Sequence, residues 1–427
     1  MLVFFHCYIL SGIRALAACE GPNFFLLGGI VLKKHVKRIH TRLFSALLFV
    51  GMLFGSFIVM PANAFAQDPI ADAVRRSFED GMIGQRQRQT DLTAILEYQT
   101  LSRYEDDLEL PVNGATGYAV TRVQVVGDSG KVLDQLRPGD AFCIIEKDNK
   151  RFLIKTVTGT IGYVPVRNVF INLPDVIPSI VYYDVNSDVS MFRSSGYEIP
   201  GVTGFTLYDT YWQNDRFGRE EYAMPALYQV AVDIARVQKE CIAHGECLKI
   251  YQSFRPYGTQ RQVADALTQL VKSNADVAAG IRACGYNTGF FIALGRSNHQ
   301  YGLAIDVSLC EILDAEILQT GDYSYLHVDD YKEYAMPSAM HELSARAAVY
   351  SPPVQSMSKT SWQKGRLRPE MTEAAIRLQS YFTNEGFVPL SSEWWHFDDM
   401  NAVESVGYVG NGEFYLSGCV SAAPASR

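Results

Sequence analysis

Two short segments, far apart in the sequence, contain side chains of the types that bind catalytic metal ions. The first contains His299 and Asp306, and the second contains Glu393 and His396. A catalytic zinc ion commonly takes three protein ligands from histidine and carboxylate side chains and leaves its fourth position to water. His299, Asp306 and His396 therefore predict a site for one Zn²⁺ per chain. Glu393 is a carboxylate that could take a proton from the attacking water if it points into the same site.

The chain between the first two candidate ligands has to bend. A seven-residue step along one strand would place His299 and Asp306 on opposite faces. Gly302 lies between them and offers a bend that can bring the two side chains together. Ala304 and Asp306 then share one face of the strand that follows, so a small residue lies beside the ligand.

The second segment poses the same problem of side-chain direction. Glu393 and His396 are three residues apart in an aromatic, strand-like stretch, so a regular strand would point them to opposite faces. A bulge or a single helical turn is therefore predicted between them, which would direct both side chains inward.

Three motifs resemble a known family when they are taken together. Residues 297–306 read Ser-Asn-His-Gln-Tyr-Gly-Leu-Ala-Ile-Asp, residues 393–397 read Glu-Trp-Trp-His-Phe, and residues 250–256 read Ile-Tyr-Gln-Ser-Phe-Arg-Pro. In this order they resemble the zinc D-alanyl-D-alanine peptidases of bacterial cell-wall metabolism. The Glu-Trp-Trp-His-Phe motif is most similar to the D-Ala-D-Ala dipeptidase branch, the vancomycin-resistance type.

The resemblance, which runs from about residue 221 to 399, implies a fold and a set of roles. The fold would be an α+β zinc peptidase domain, an antiparallel sheet with flanking helices. Its zinc ligands would be His299, Asp306 and His396. Glu393 would be the general base and later the acid, and Arg255 would stabilise the developing oxyanion and the substrate.

The sequence departs from the dipeptidase branch at one position. That branch carries Met-Gly-Thr-x-Phe-Asp between the two metal motifs, whereas the matching stretch here, residues 336–341, reads Met-Pro-Ser-Ala-Met-His. The family aspartate helps to hold the free amino group of the dipeptide, and His341 cannot supply a permanent negative charge at neutral pH. A substrate with an acylated amine would not need that partner, although the adjacent Glu342 could compensate. Ser297 and His341 are the candidate substrate-binding residues.

A separate β-rich module precedes this domain. Between residues 117 and 171, short alternating strands are divided by turns such as Gly-Asp-Ser-Gly at 127–130, which suits a small β-barrel. Leu-Arg-Pro-Gly-Asp at 136–140 and Thr-Ile-Gly-Tyr-Val-Pro at 160–165 resemble bacterial SH3-like domains. That resemblance implies either a cell-wall peptide-binding module or a structural spacer.

The remaining pattern divides the chain into segments. Helices are predicted over residues 224–241, after Pro256 and over residues 371–382, with strands at 303–309 and 393–397. The predicted segments are an N-terminal extension with basic residues (1–42), a signal-peptide core and cleavage region (43–66), a helical lead-in (67–112), the SH3-like barrel (113–173), a linker (174–205) and the zinc peptidase domain (206–419).

The N-terminal segment predicts export. Lys33 to Arg38 is basic, the run from Leu43 to Met60 is nearly uncharged, and small residues follow at Ala62 to Ala66, which together are typical of a secretory signal peptide. An uncleaved membrane anchor is the alternative, because the apolar run is 18 residues long. The protein is thus expected to cross the inner membrane and to be periplasmic or cell-wall associated. Any contact with the membrane is expected only through this segment.

Composition and cysteine usage agree with that location. The net charge is −8, and no Lys/Arg block lies outside the N-terminus, so nucleic acid is not an expected partner. Six cysteines follow the signal region. An even number in an oxidising compartment suggests disulfides, and six cysteines allow 15 pairings. Cys241 and Cys247 suggest a short disulfide or simple packing, and a metal loop around His244 is the alternative.

The sequence therefore predicts an exported zinc metallopeptidase that hydrolyses D-alanyl-D-alanine or related D-amino-acid bonds, with peptidoglycan or its peptide fragments as the partner. Three alternatives remain open: a D,D-carboxypeptidase on stem peptides, an endopeptidase on cross-links, and a non-catalytic cell-wall-binding protein.

Overall fold

The computed structural model describes residues 93–426. The predicted N-terminal extension (1–42), the predicted signal region (43–66) and residues 67–92 of the lead-in lie outside the described residues. The lead-in residues that are described form a helical segment over 93–100, and a 3-10 turn follows at Glu105–Asp107. Among the described residues, no helix is both long enough and apolar enough to cross a membrane.

The elements are numbered in chain order. The strands are β1 (Thr116–Ala119), β2 (Val123–Val126), β3 (Val132–Leu136), β4 (Ala141–Lys147), β5 (Arg151–Thr156), β6 (Ile161–Pro165), β7 (Val169–Asn172), β8 (Val181–Tyr182), β9 (Arg193–Ser194), β10 (Tyr197–Glu198), β11 (Tyr211–Asn214), β12 (Arg219–Tyr222), β13 (Pro225–Leu227), β14 (Glu246–Gln252), β15 (Ala304–Thr320), β16 (Tyr323–Glu333), β17 (Phe387–Pro389) and β18 (His396–Asp399). The helices are α1 (Leu173–Val176), α2 (Tyr228–Ala243), α3 (Tyr257–Ser273), α4 (Ala275–Arg282), α5 (Thr288–Phe291), α6 (Glu373–Asn384) and α7 (Met400–Ser405). Further 3-10 turns lie at Val166–Asn168, Ala283–Gly285, Asn298–Tyr301 and Trp362–Lys364.

The fold is mixed α+β and is built on antiparallel sheets. The first sheet has eight strands in the order β13-β7-β1-β4-β5-β6-β2-β3. The barrel predicted over residues 113–173 is not closed: within the described residues, the ladder of this sheet ends at β13 on one side and at β3 on the other. The reason is that β7 pairs with β13 as well as with β1, and β13 comes from the segment predicted as the peptidase domain.

The segment predicted as a linker, residues 174–205, also packs into the protein. Its strand β8 pairs in parallel with β14, and the Val185 amide donates to the Tyr251 carbonyl at 3.2 Å. Phe192 and Val202 are buried in the same hydrophobic core as both sheets. Turn-forming residues are frequent in this stretch, but the apolar residues between them bury enough surface to hold it in place.

The second sheet carries the residues of interest. Its strands run in the order β17-β18-β15-β14-β8, and β16 forms a long hairpin with β15. Helix α2 buries the residues that recur at helical spacing along one face, among them Val230, Ile234, Val237 and Cys241. The helix ends before Gly245, which has a φ of 75°. Helices α2 and α6 pack against this sheet and against each other.

Gly302 has a backbone conformation and a close packing that favour glycine. Its φ is +61°, and a Cβ atom there would lie 2.5 Å from the Phe170 ring and 3.1 Å from the Leu227 amide nitrogen. We expect Gly302→Ala to destabilise the protein by about 2 to 4 kcal/mol, because it adds both backbone strain and overpacking. Gly295→Ala is the matched control, since a Cβ there meets nothing within 4 Å. Thermal unfolding should show a lower midpoint for Gly302→Ala alone, and equal midpoints would contradict this account of the bend.

Candidate metal centre

His299 is placed by a short capped turn rather than by a strand. The 3-10 turn Asn298–Tyr301 begins at Ser297, whose hydroxyl accepts from the His299 amide and whose amide donates to the Gln300 side chain, forming a capping box. The turn ends at Gly302 in the left-handed conformation, and β15 starts two residues later at Ala304. The bend lies where the spacing of the sequence predicts it, and it leaves the His299 side chain buried.

Asp306 and His396 are held opposite each other by the sheet. They are direct partners in the antiparallel pairing of β15 with β18, and Asp306 is also opposite Gln252 on β14. Asp306 therefore lies on a central strand with a neighbour on each side, and its direction is fixed by backbone ladders on both sides.

Glu393 and His396 are joined by a turn. The His396 amide donates to the Glu393 carbonyl at 3.4 Å, so the chain turns once before β18 begins. This places the Glu393 Oε2 atom 3.9 Å from the His396 Nδ1 atom. The turn brings the two side chains together, although a regular strand with this three-residue spacing would point them to opposite faces.

Three ligand atoms converge on one point. His396 Nδ1 lies 3.0 Å from Asp306 Oδ1, His299 Nε2 lies 3.3 Å from Asp306 Oδ1, and the two imidazole nitrogens are 3.1 Å apart. Four ligands placed tetrahedrally at the usual zinc bond lengths are about 3.3 Å from one another. These three buried residues could therefore hold a metal ion.

The other ring nitrogens of the two histidines are already occupied. His299 Nδ1 lies 2.6 Å from the Ser253 carbonyl oxygen, so it must donate there. His396 Nε2 lies 3.1 Å from Asp398 Oδ1. Hydrogen bonds of this kind fix the tautomer and the ring orientation of metal-binding histidines. They leave His299 Nε2 and His396 Nδ1 as the free coordinating atoms.

The electrostatics of the three residues also favour a cation. Burial lowers the pKa of His299 to about 4, so this ring is neutral near pH 7. Burial opposes ionisation of Asp306, but His299 and the other two facing histidines outweigh it and hold the pKa of Asp306 well below its usual range. Burial also opposes charge on His396, yet Asp398 and Asp306 raise the pKa of that imidazole well above its usual value. A bound cation would replace the proton that His396 otherwise carries.

The second oxygen of Asp306 has two buried donors of its own. Arg255 Nη2 lies 3.2 Å from Asp306 Oδ2, and His341 Nε2 lies 3.1 Å from the same atom. These contacts leave Asp306 Oδ1 facing the two other candidate ligands. The carboxylate is thus oriented as a ligand through one oxygen.

His341, a candidate substrate residue by sequence, lies behind Asp306. Its ring stacks on Phe192, with centroids 4.1 Å apart and planes 9° apart, and it is not among the residues that line the cavity. Its Nδ1 atom is buried without a hydrogen-bond partner. Burial lowers the pKa of His341, which agrees with a neutral ring that donates only from Nε2. No pattern in the sequence indicates this contact, because Phe192 belongs to the stretch predicted as a linker.

Arg255 is held firmly at the wall of the site. Its Nε donates to Gln252 at 2.6 Å and its Nη1 donates to Gln260 at 2.8 Å, in addition to the contact with Asp306. The side chain is buried and still lines the cavity. Its predicted oxyanion role depends on the N–H groups of the guanidinium that these contacts leave free.

A cavity of about 420 Å³ opens onto the three candidate ligands, a volume typical of sites for small molecules. Glu393 and Ser297 line it together with Arg255. Much of the remaining wall is apolar and comes from helix α5 and from loops, none of which a motif marks: Phe192, Phe290, Phe291, Ile292, Met357 and Leu390.

Glu393 is buried beside the candidate ligands without joining them. Burial raises the pKa of Glu393 to about 8, and the nearby Asp306 adds to the effect while His396 opposes it. A carboxyl group with a raised pKa in a cavity can both take up and release a proton near neutral pH.

The cysteines form no part of this site. All six in the described residues are free thiols in the structure, so the disulfides suggested by their even number are not formed in it. Cys241 and Cys247 are buried in separate apolar clusters. His244 is about half exposed and lies beside Glu240, which agrees with packing rather than with a metal loop.

Metal analysis tests the three ligands directly. We expect the protein to bind one zinc ion and His396→Ala to lose more affinity than the 10- to 100-fold that changes outside the coordination sphere cost. His244→Ala, a half-exposed histidine, is the control and should bind as the unchanged protein does. Titration followed by zinc content and thermal shift measures both, since a bound ion stabilises the folded state. Equal affinity in the two variants would exclude His396 as a ligand.

The contact between His341 and Asp306 makes a separate prediction. His341→Ala should weaken zinc binding by about 10- to 100-fold, because Asp306 loses one of the two donors that orient it. His341→Gln retains an amide N–H near the Nε2 position and should recover part of that affinity. If the two variants bind zinc equally well, His341 does not act through this hydrogen bond.

Comparison of the chain with known proteins identifies no family. No protein-family model matches the sequence, and no curated protein matches it. The functional interpretation therefore depends on the geometry of the side chains and on the motif resemblance described above.

Proposed function

We propose that this protein is an exported zinc peptidase that hydrolyses D-alanyl-D-alanine or closely related D-amino-acid peptide bonds. One observation carries the proposal: His299, Asp306 and His396 present three ligand atoms within 3.3 Å of one another. Glu393, with its carboxylate 3.9 Å from the His396 Nδ1 atom, is near enough to act on a water at this point. Zinc is the proposed ion because two imidazoles and one carboxylate, with a position left for water, are a common catalytic zinc set.

Each residue has a chemical task in this proposal. Bound zinc would supply Lewis acidity, lowering the pKa of water at the site toward 7. Glu393 takes the proton of the attacking water on its carboxylate and returns it to the leaving amine, a role typically worth ~10²- to 10⁴-fold in rate. Arg255 lies against Asp306 at the cavity wall and offers its remaining N–H groups to the oxyanion, for a stabilisation of about 3 kcal/mol.

The charges around the cavity favour a substrate whose amine is acylated. Among the described residues that line the cavity, the carboxylates are Asp306, Glu393 and Asp398. Asp398 is engaged by His396 and by Asn298, whose side-chain amide donates to it at 2.8 Å. Among the described residues of the cavity wall, no carboxylate outside the centre is left to pair with a free ammonium group. A peptidoglycan stem peptide ending in D-Ala-D-Ala therefore fits better than the free dipeptide, which within the proposed class favours a D,D-carboxypeptidase over a dipeptidase.

The β-rich module and the N-terminal segment extend the proposal. An SH3-like role for β1 to β7 would hold peptidoglycan or its fragments near the site. The signal-like residues 43–66 would deliver the protein to the periplasm or cell wall. A wall-binding protein without catalysis is the rival, but binding alone gives no use for a buried carboxyl group such as Glu393 beside the ligands.

Replacement of Glu393 distinguishes a catalytic role of the site from metal binding alone. We expect Glu393→Gln to retain zinc and to lose about 10²- to 10⁴-fold in turnover, because the amide cannot accept the water proton. Glu404→Gln is the control, since Glu404 is a surface residue paired with Lys359 at 2.8 Å. Release of D-alanine by the zinc-loaded proteins measures the effect. Undiminished turnover in Glu393→Gln would remove Glu393 from the mechanism.

The substrate preference has its own test. Zinc-loaded protein should release D-alanine from a stem peptide ending in D-Ala-D-Ala with a higher kcat/KM than from the free dipeptide, because the acylated amine needs no anionic partner. A preference for the free dipeptide would reverse the substrate assignment. Absence of D-alanine release from both substrates would contradict the proposed function itself.

A further inference from the structure

Two cysteines lie opposite each other in the sheet that carries the candidate metal centre. Cys247 on β14 and Cys310 on β15 are direct partners in the antiparallel register, and both side chains are completely buried. Direct partners in an antiparallel pair have Cα atoms about 4.5 to 5.5 Å apart. Disulfides span Cα separations of about 4.4 to 6.8 Å, so the backbone already has the required spacing.

The surroundings of the two thiols fit a covalent pair. They lie in a small apolar cluster with Ile242, Ala315 and Leu326. The two thiols also interact with each other: the hydrogen bond to Cys247 and burial raise the pKa of the Cys310 thiol. Neither residue belongs to the candidate metal centre or lines its cavity.

Among the described residues, no other two cysteines are partners in a strand pairing. In the strand pairings of the described residues, Cys143 is opposite Thr116. Cys419 contacts the hydroxyl groups of Thr116 and Ser421. Cys241 lies in the main core cluster, and Cys284 is exposed. Of the 15 pairings that six cysteines allow, the register supports those that join Cys247 to Cys310.

We infer that Cys247 and Cys310 form a cross-strand disulfide when the protein folds in an oxidising compartment. The S–S bond forms as the two thiols lose two protons and two electrons. A disulfide oxidant, such as oxidised glutathione, takes them up and is cleaved to two thiols. Because both thiols are buried in the folded chain, the exchange takes place during folding, while the strands are still accessible to the oxidant.

The bond has a consequence for the metal centre. Cys310 comes four residues after Asp306 on β15, so the two side chains share a face. On β14, Gln252 is opposite Asp306, and its side chain accepts from Arg255. The register of the two strands shifts once between the Cys247–Cys310 pair and the Gln252–Asp306 pair, so a bond between Cys247 and Cys310 would fix the register up to that irregularity and tether the strand that holds Asp306.

The full chain, refolded from the reduced state in a glutathione redox buffer, tests the inference. Intact mass should fall by about 2 mass units for the two hydrogens lost. A digest without reductant should contain one linked peptide pair, joining Cys247 to Cys310, and the remaining six of the eight cysteines in the full chain should react as thiols. Eight reactive thiols, or a linked pair that omits either residue, would overturn the inference. The peptide map of the unaltered chain decides this even if a variant fails to fold.

Variants add a control and a stability readout. Cys247→Ala and Cys310→Ala should each abolish the mass change, whereas Cys284→Ala, at an exposed thiol, should retain it. A reductant added before heating should lower the unfolding midpoint of the unaltered protein and of Cys284→Ala, because the cross-link restricts the unfolded chain. The double variant Cys247→Ala/Cys310→Ala should show no such shift. A shift of equal size in the double variant would assign the effect to another pair.

Discussion

The buried carboxylate of Asp306 is the constraint on which the candidate site depends. One oxygen faces His299 and His396, and the other accepts from Arg255 and His341. An isolated carboxylate would be costly at this depth, and each of these contacts reduces that cost. The same contacts leave a single oxygen directed toward the two imidazole nitrogens. The geometry of the centre thus follows from the contacts that stabilise one buried charge.

The sheet explains why residues so far apart in the sequence meet at this charge. Strand β15 lies between β14 and β18, so Asp306 has Gln252 on one side and His396 on the other. Arg255 and Glu393 lie just beyond the strand ends: Arg255 follows β14, and Glu393 precedes β18 on a turn. A site built from the ladders of a central sheet holds its side chains more precisely than one built on loops alone.

Local patterns in the sequence were sufficient for the candidate ligands and for the bends that aim them. In a regular strand, the spacing of His299 and Asp306 and the spacing of Glu393 and His396 would each place the two side chains on opposite faces. The structure has a turn in both places. The partner of His341 could not be found in this way. Its stacking on Phe192 and its bond to Asp306 join segments that local periodicity does not relate. The open first sheet has the same origin, because β13 is added to β7 by a pairing across more than 50 residues.

X-ray absorption at the zinc edge of the zinc-loaded protein tests the central claim most directly. We expect one zinc ion with two imidazole nitrogens and one carboxylate oxygen at about 2.0 to 2.2 Å, and a further light-atom ligand from water. The imidazole contribution should fall by half when either His299 or His396 is replaced. Sulfur ligands at about 2.3 Å, or a spectrum that neither replacement alters, would contradict the claim that Asp306 and these two histidines form a metal centre.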